Sequence, residues 1–313
     1  MLKYAAKRLA QSVITLLIIA TIVFSLMRLM PIEGYFQNFE KLDHNQIQVA
    51  LKSMGLLDPL PIQLKNFFIQ LFHGSLGDSL IYRPNVPVMS IIAAKAPVSI
   101  FMGLASMVIA LALGLPLGTA MARSKSKFWD KFGTAFIVFI TAVPAAVYYL
   151  LVQLYFTDWF GLPILFSAGD PTSWILPTVS LSLGNIAYYA MWLRRYMVDE
   201  LNKDYIQLAR AKGVNSKDIM KNHVFRNAFV PMVQYLPTSL LYTVAGSIYI
   251  ESLYSVPGMG GLMVNVIQRQ DNNMVQALVL IYSAVGIIGL LLGDVLMNAM
   301  DPRISLSKKG GAR

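Results

Sequence analysis

The sequence predicts an all-α membrane protein, a bundle of six transmembrane helices with one long connection on its outward side. Two observations carry that expectation. Hydrophobic residues make up 56% of the 313-residue chain and charged ones only 13%, where soluble domains carry roughly 25% charged residues. The charges also leave six long gaps, 9–27, 96–122, 132–157, 171–193, 227–250 and 272–293, which hold 19, 27, 26, 23, 24 and 22 uncharged residues. A helix needs about 20 mostly apolar residues to cross a bilayer core of roughly 30 Å.

The first segment, within an anchor helix over residues 1–30, follows Lys3, Lys7 and Arg8. Its apolar run from Leu9 to Met27 exceeds the roughly 7–15 residues of a signal-peptide core, and no small-x-small cleavage site precedes Pro31. It reads as a retained anchor. Residues 31–97 form the long outward connection. Two helical stretches are expected in it, one around Asn45–Leu51 and one over Ile62–Phe72, separated by Gly55, Asp58, Pro59 and Pro61. Gly74, Gly77, Pro84 and Pro87 then mark a turn-rich return. At this size the segment reads as a cap on the bundle rather than an independent domain. The core bundle occupies 98–298, with spans at about 98–121, 133–157, 174–193, 231–250 and 275–298. Within it lies a basic connection at 194–230, and residues 299–313 form a tail. Pro116, Pro144 and Pro177 fall inside these spans and predict kinks.

The net charge of +10 has a topological explanation. With the amino terminus inside, the inward pieces hold nineteen basic residues against six acidic ones, and the outward pieces seven against nine. Lys and Arg accumulate on cytoplasmic loops. Both termini are therefore expected in the cytoplasm of a multi-pass plasma-membrane protein, and a nucleic-acid partner is not.

The inward connection 194–230 is the most informative stretch. Met197, Leu201, Tyr205, Leu208 and Ala209 recur at helical spacing among charges, predicting one amphipathic helix from Met197 to Lys212. Gly213 suits the left-handed residue that ends a helix. Asn215 with Asp218 three residues on resembles a capping box, and Ile219, Met220, Val224 and Phe225 offer one apolar side of a second helix. A helix–glycine–helix element of this kind is a docking surface; the alternative is a basic loop lying on anionic membrane lipid.

Chemistry-bearing residues are scarce. There is no cysteine, and His44, His73 and His223 lack ligand spacing. No GxxxxGK[ST] phosphate loop and no GxSxG elbow occurs. The chain does not read as an enzyme, and no cofactor is expected in it. Ion-coupled carriers place ionisable groups inside their spans; here only Glu251 and Asp294 come close, and both also suit hydrogen bonds to backbone or interfacial Arg and Lys. A stand-alone ion-coupled carrier is the alternative from a different class. The fifth span carries the clearest polar face, with Ser239, Thr243, Ser247 and Glu251 every four residues beside Gln234, Thr238 and Tyr242. That face either lines a hydrated path or hydrogen-bonds neighbouring helices. Asn185, Tyr148, Tyr149, Tyr188 and Tyr189 are further candidates for the path.

The 194–230 connection resembles the cytoplasmic coupling loop of permease subunits in bacterial ABC importers. Gln207, Leu208 and Ala209 stand at its E-A-A positions and Gly213 at its glycine, whereas the leucine-proline ending is missing. Asp204-Tyr205-Ile206, Ala209-Arg210-Ala211-Lys212-Gly213 and Arg226-Asn227-Ala228 with Pro231 are similar to the dipeptide/oligopeptide permease branch. So are Gly55-Leu56 with Asp58-Pro59-Leu60-Pro61, Gly74-Ser75-Leu76-Gly77-Asp78-Ser79, the run Glu251 to Gly260, and Asp294 with Asp301-Pro302-Arg303. The resemblance implies a type I-like permease bundle that pairs with a second, homologous permease subunit. It also implies two cytoplasmic ATPase subunits that use ATP and Mg, and an extracytoplasmic solute-binding protein that delivers peptides. It assigns Ala209, Ala211 and Gly213 to the helix that enters the ATPase, and Tyr205, Leu208, Arg210, Lys212 and Asp218 flank them. Relatives in the branch that import nickel complexes, metallophores or oligosaccharides leave those solutes open as alternatives.

Overall fold

The computed structural model describes residues 2–36 and 39–300. The Asp301-Pro302-Arg303 motif and most of the tail lie outside them. A long helix α1 (Leu2–Arg28) leads into the cap, which is built from α2 (His44–Ser53) and α3 (Leu60–Phe72). A two-residue antiparallel ribbon, not foreseen in the sequence, pairs β1 (Asp78–Ser79) with β2 (Val86–Pro87). The bundle follows: α4 (Val88–Arg123), α5 (Phe128–Ala142), α6 (Ala145–Phe160) and α7 (Ile175–Leu201). An elbow contains α8 (Asp204–Ala211) and a single turn α9 (Ser216–Asp218) that runs into a π-helix over Ile219–Phe225. The chain returns through α10 (Arg226–Val233), α11 (Tyr235–Val244), α12 (Ile248–Leu253), α13 (Met259–Gln268) and α14 (Asn272–Met300).

The spine of the bundle is the α4–α7 pair. Gly114 and Gly118, four residues apart on one face of α4, bring its backbone onto α7. A Cβ on Gly118 would lie 2.7 Å from the Ala190 carbonyl oxygen, and one on Gly114 would lie 3.0 Å from that of Ile186. Close backbone approach through small residues is how helices associate in lipid, where no hydrophobic force separates helix from solvent. Around the spine, Met102, Ile140, Tyr148, Leu176 and Tyr254 fill one core. Val88, Ile91, Leu262, Val266 and Met274 fill another at the cap end. A third, at the elbow end, joins Met107, Tyr189, Leu193 and Met197 to Ile206, Ile219 and Val224 of the elbow.

Among the described residues, three helices are long and apolar enough to cross a membrane: α1 over Lys7–Arg28, α4, and α14 over Asn272–Met297. The other expected spans are modified. The span expected at 133–157 is broken into α5 and α6, which meet at 112°. Pro144 has no N–H to continue the ladder and holds Val143 extended, at φ −84° and ψ 131°. The span expected at 231–250 is interrupted where Gly246 takes φ 103° and Ser247 is extended. The helix expected to begin near 98 starts at Val88, and Lys95 rides within it. Pro116 sits inside an unbroken α4. Pro177 falls in the first turn of α7, where a missing N–H costs nothing, so it marks a helix start and not a kink.

Candidate functional site

The elbow is two helical pieces set on the end of α7. The single amphipathic helix expected over Met197–Lys212 does not form, because α7 stops at Leu201 and Lys203 is extended at φ −75°, ψ 143°. The break rotates α8 so that Ile206, not Tyr205 or Leu208, is its fully buried residue. Ile206 joins Met197, Ile219 and Val224, and Ala209 is partly buried against the same cluster. Leu208, Arg210, Ala211 and Lys212 are exposed. Gly213 ends the helix at φ 76°, with the Val214 N–H donating to the Ala209 carbonyl at 3.1 Å. Asn215 accepts from the Lys217 N–H at 3.0 Å. Among the described residues, no bond from Asp218 back to Asn215 completes the expected capping box; Asp218 is an exposed acid in the first turn. The apolar side foreseen in Ile219, Met220, Val224 and Phe225 is present, but on a π-helix, a wide turn frequent at functional sites.

One polar cluster fixes the elbow to the bundle, and a second joins α5 to α7. The Tyr205 hydroxyl donates to Glu200 Oε1 and accepts from Asn227 Nδ2 at 2.8 Å, so it ties α8 to α7 and α10. Burial pushes that hydroxyl's pKa up, and the Glu200 bond pushes the same way. Nearby, Arg194 of α7 forks onto Asp130 of α5, Nε to Oδ1 at 2.5 Å and a second nitrogen to Oδ2 at 2.9 Å. The Ser126 N–H adds a bond to Oδ2 at 2.8 Å. The arginine bonds hold the Asp130 carboxyl below its ordinary range against the opposing effect of burial.

The expected polar face of the fifth span is split by the Gly246 break, so its four-residue repeat ends at Thr243. Gln234, Ser239 and Thr243 are hydrogen-bonded within the chain. The Tyr189 and Ser239 hydroxyls share a bond. Asn185 donates to Thr243 at 3.2 Å, and Gln234 to Asp294 at 3.2 Å. Asp294 also pairs with Arg8 of α1 at 3.3 Å. Thr238 is half-buried close to Gly289 of α14, and Tyr242 is exposed beside Gly286. Tyr148 and Tyr149 are buried edge-to-face in the core, and Tyr188 packs edge-on against Tyr189.

Beyond the break, Ser247 caps α12, accepting from Ile250, and Glu251 turns inward. Glu251 is 1% exposed. It accepts from Ser99 Oγ at 2.7 Å and from the N–H groups of Gly260 and Gly261 at 2.6 and 3.0 Å. Its carboxylate thereby sits on the first turn of α13, where unpaired amides and the helix dipole favour an anion. Gly258 makes room for it, since a Cβ there would meet the Glu251 carboxylate at 2.5 Å.

Residues 1–102 and 114–306 match two families described as the N-terminal part and the main inner membrane component of binding-protein-dependent transport systems. The chain belongs to this family. The dipeptide transport system permease DppB of Lactococcus lactis subsp. cremoris is 32% identical over 306 residues, covering 98% of this chain and all of that protein. The oligopeptide transport system permease AmiC of Streptococcus pneumoniae is 39% identical over 212 residues; these are 67% of this chain but only 42% of AmiC. The glutathione transport system permease GsiC of Salmonella typhimurium is 32% identical over 311 residues, 97% of this chain and 99% of GsiC. These matches place the permease in the dipeptide/oligopeptide branch, a group of transport components rather than enzymes.

Sequence reasoning missed a long-range polar clasp of the permease. Asp271, wholly buried, gathers Ser79 Oγ at 2.6 Å and the N–H groups of Leu80, Ile81 and Tyr82 at 3.1, 3.0 and 2.9 Å on one carboxylate oxygen. Its other oxygen accepts from Met274 in the first turn of α14 at 3.2 Å. One signal was available for this clasp: an acid immediately before a helical run is a capping position. Its second set of partners, nearly two hundred residues away, leaves no local trace.

Proposed function

We propose that this chain is one of two permease subunits of an ATP-driven importer, and that it carries dipeptides or oligopeptides handed over by an extracytoplasmic binding protein. The names of the relatives supply the solute class. In this reading the cap faces outward, both termini lie in the bacterial cytoplasm, and two ATPase subunits, holding ATP and Mg, grip the elbow. The observation that carries the reading is the build of α8. It presents Leu208, Ala211 and the left-handed Gly213 to solvent while Ile206 anchors it in the core that continues up α7. Such a piece is held rigidly from behind and offers small residues for close contact in front.

ATPase closure upon ATP binding would draw α8 sideways. Ile206, Val224 and the Tyr205–Glu200–Asn227 ties would carry that displacement into α7 and α10. The Gly246 break would then let the Glu251 side of the chain turn against α11, opening the cap end; hydrolysis would reverse it. Asn185, Thr238, Tyr242 and Ser247 are the polar residues proposed to border the path on the flank shared with the second permease. Gln234, Ser239, Thr243 and Glu251 act behind them as positioning groups.

The test is ATP hydrolysis by the reconstituted complex. Ala211→Trp should abolish peptide-stimulated hydrolysis and uptake while the chain inserts and co-purifies with its permease partner. Ala211→Trp with normal stimulation would remove α8 from the ATPase interface.

A further inference from the structure

At the cap end, α1, α3, α14 and the connections around them line an open cavity of about 370 Å³, part polar and part apolar, within the size range of small-ligand sites. Two of its lining residues, Arg28 and Gln63, each carry a buried polar atom without a partner among the described residues, the Arg28 Nε donor and the Gln63 Oε1 acceptor. Arg28 uses one terminal nitrogen on the Tyr35 hydroxyl at 3.0 Å, and its guanidinium lies over the Phe24 ring at 4.7 Å. Among the described residues no carboxylate comes within 4.0 Å of it. Gln63 is held by its amide nitrogen, which donates to the Leu56 and Asp58 carbonyls, so its oxygen is aimed by the fold. Partly buried guanidinium groups are costly unless an anion or acceptor meets them, and the planar fork of arginine suits phosphate oxygens.

We propose that this cavity binds the headgroup of an anionic glycerophospholipid, with the phosphodiester on the Arg28 guanidinium and the polyol hydroxyls on side-chain amides of the lining residues. Asn66, Asn273 and Gln276 line the same cavity and supply amides for further hydroxyls. Asp78 also lines it and is exposed; it accepts from hydroxyls but repels a bare phosphate, which favours a polyol ester over the free ion. The surroundings supply the acyl-chain side. α3 has no buried residue, and its Ile62, Ile69 and Phe72 are exposed. Phe67 of α3 stacks on Phe24 of α1 at 5.0 Å, while Ile18, Ile22 and Leu26 present an apolar face of α1 below it. In this proposal α3 lies in the plane of the membrane interface, at headgroup depth.

The experiment is native mass spectrometry of the full chain in its detergent-purified complex. It is titrated with dioleoylphosphatidylglycerol or dioleoylphosphatidylcholine, each alone and with glycerol 3-phosphate as competitor. The wild-type chain should bind its first phosphatidylglycerol about tenfold more tightly than phosphatidylcholine, because the choline cation beside the shared phosphodiester is repelled by Arg28. Arg28→Gln should erase that preference. Gln276→Leu, which changes the α14 side of the cavity and removes no hydrogen bond to another described residue, should reduce it about threefold. Phosphatidylglycerol should raise the melting temperature of wild type but not of Arg28→Gln, whereas a purely structural arginine would shift both lipid series alike. Equal binding of the two lipids by wild type, or a preference that survives Arg28→Gln, overturns the proposal. Displacement of the lipid by glycerol 3-phosphate at equal concentration overturns it too, by making a soluble phosphate the occupant.

Discussion

Replacing Glu251 by alanine removes the acceptor for three donors at once: Ser99 Oγ and the N–H groups of Gly260 and Gly261. A buried donor left without a partner costs about 1–3 kcal/mol. The loss of a negative charge from a helix start adds about 0.3–1 kcal/mol. Water relieves part of this, because Glu251 also borders a cavity beside Lys95 and Ser255. The net expectation is about 2–4 kcal/mol against the closed clasp, or roughly a 30- to 1000-fold rise in its opening. Hydrogen exchange read by mass spectrometry over 255–268 should therefore accelerate by at least about 30-fold in Glu251→Ala, with the peptide over α8 unchanged. Glu251→Gln keeps one acceptor but turns an amide N–H toward backbone donors, and should fall between wild type and alanine. Exchange at 255–268 that is the same in wild type and Glu251→Ala would refute the clasp as the element joining α4, α12 and α13.

Other expectations rest on separate contacts. Asp130→Asn should destabilise the elbow end by about 1–3 kcal/mol, less than a fully buried pair because Arg194 is partly exposed, and thermal melts of the purified chain would measure it. The Asp130 carboxyl is held below its ordinary value of 3.8, so its contribution is complete above that value and is lost as pH falls through the lowered one. The acid limb of the stability profile should flatten in Asp130→Asn. Gly118→Val should cost about 1–3 kcal/mol or more through overpacking against Ala190, seen as a lower yield of inserted protein, with Ala120→Val on the same helix as the comparison. Asp271→Asn should loosen residues 79–82, which limited proteolysis of the cap would reveal; cleavage unchanged from wild type would remove the clasp from the cap's support.

Local grammar in the sequence was readable where one segment decides its own conformation. The apolar gaps marked the helical bundle, Gly213 ended its helix, Asn215 capped the next turn, and two helices stood where the cap's apolar spacing put them. Pro144 was foreseen as a kink, though its 112° turn depends on how α5 and α6 pack. Errors arose where a regular spacing crossed a break. The four-residue repeat from Ser239 to Glu251 and the helix from Met197 to Lys212 both assumed continuous helical phase, which Gly246 and Lys203 interrupt. Partners distant in sequence, such as Ser99 with Glu251 or Ser79 with Asp271, left no spacing to recognise. Each of those carboxylates is an ordinary acid until the fold delivers its donors.

The backbone contact at Gly114 and Gly118 has a mechanical corollary. With no side chain at Gly114 or Gly118 to compress or repack, α4 and α7 have little freedom to shear there and travel as one stiff lever. Any push on the elbow at one tip of α7 then reaches Val88, at the far tip of α4, as a swing about the bundle rather than as a local dent.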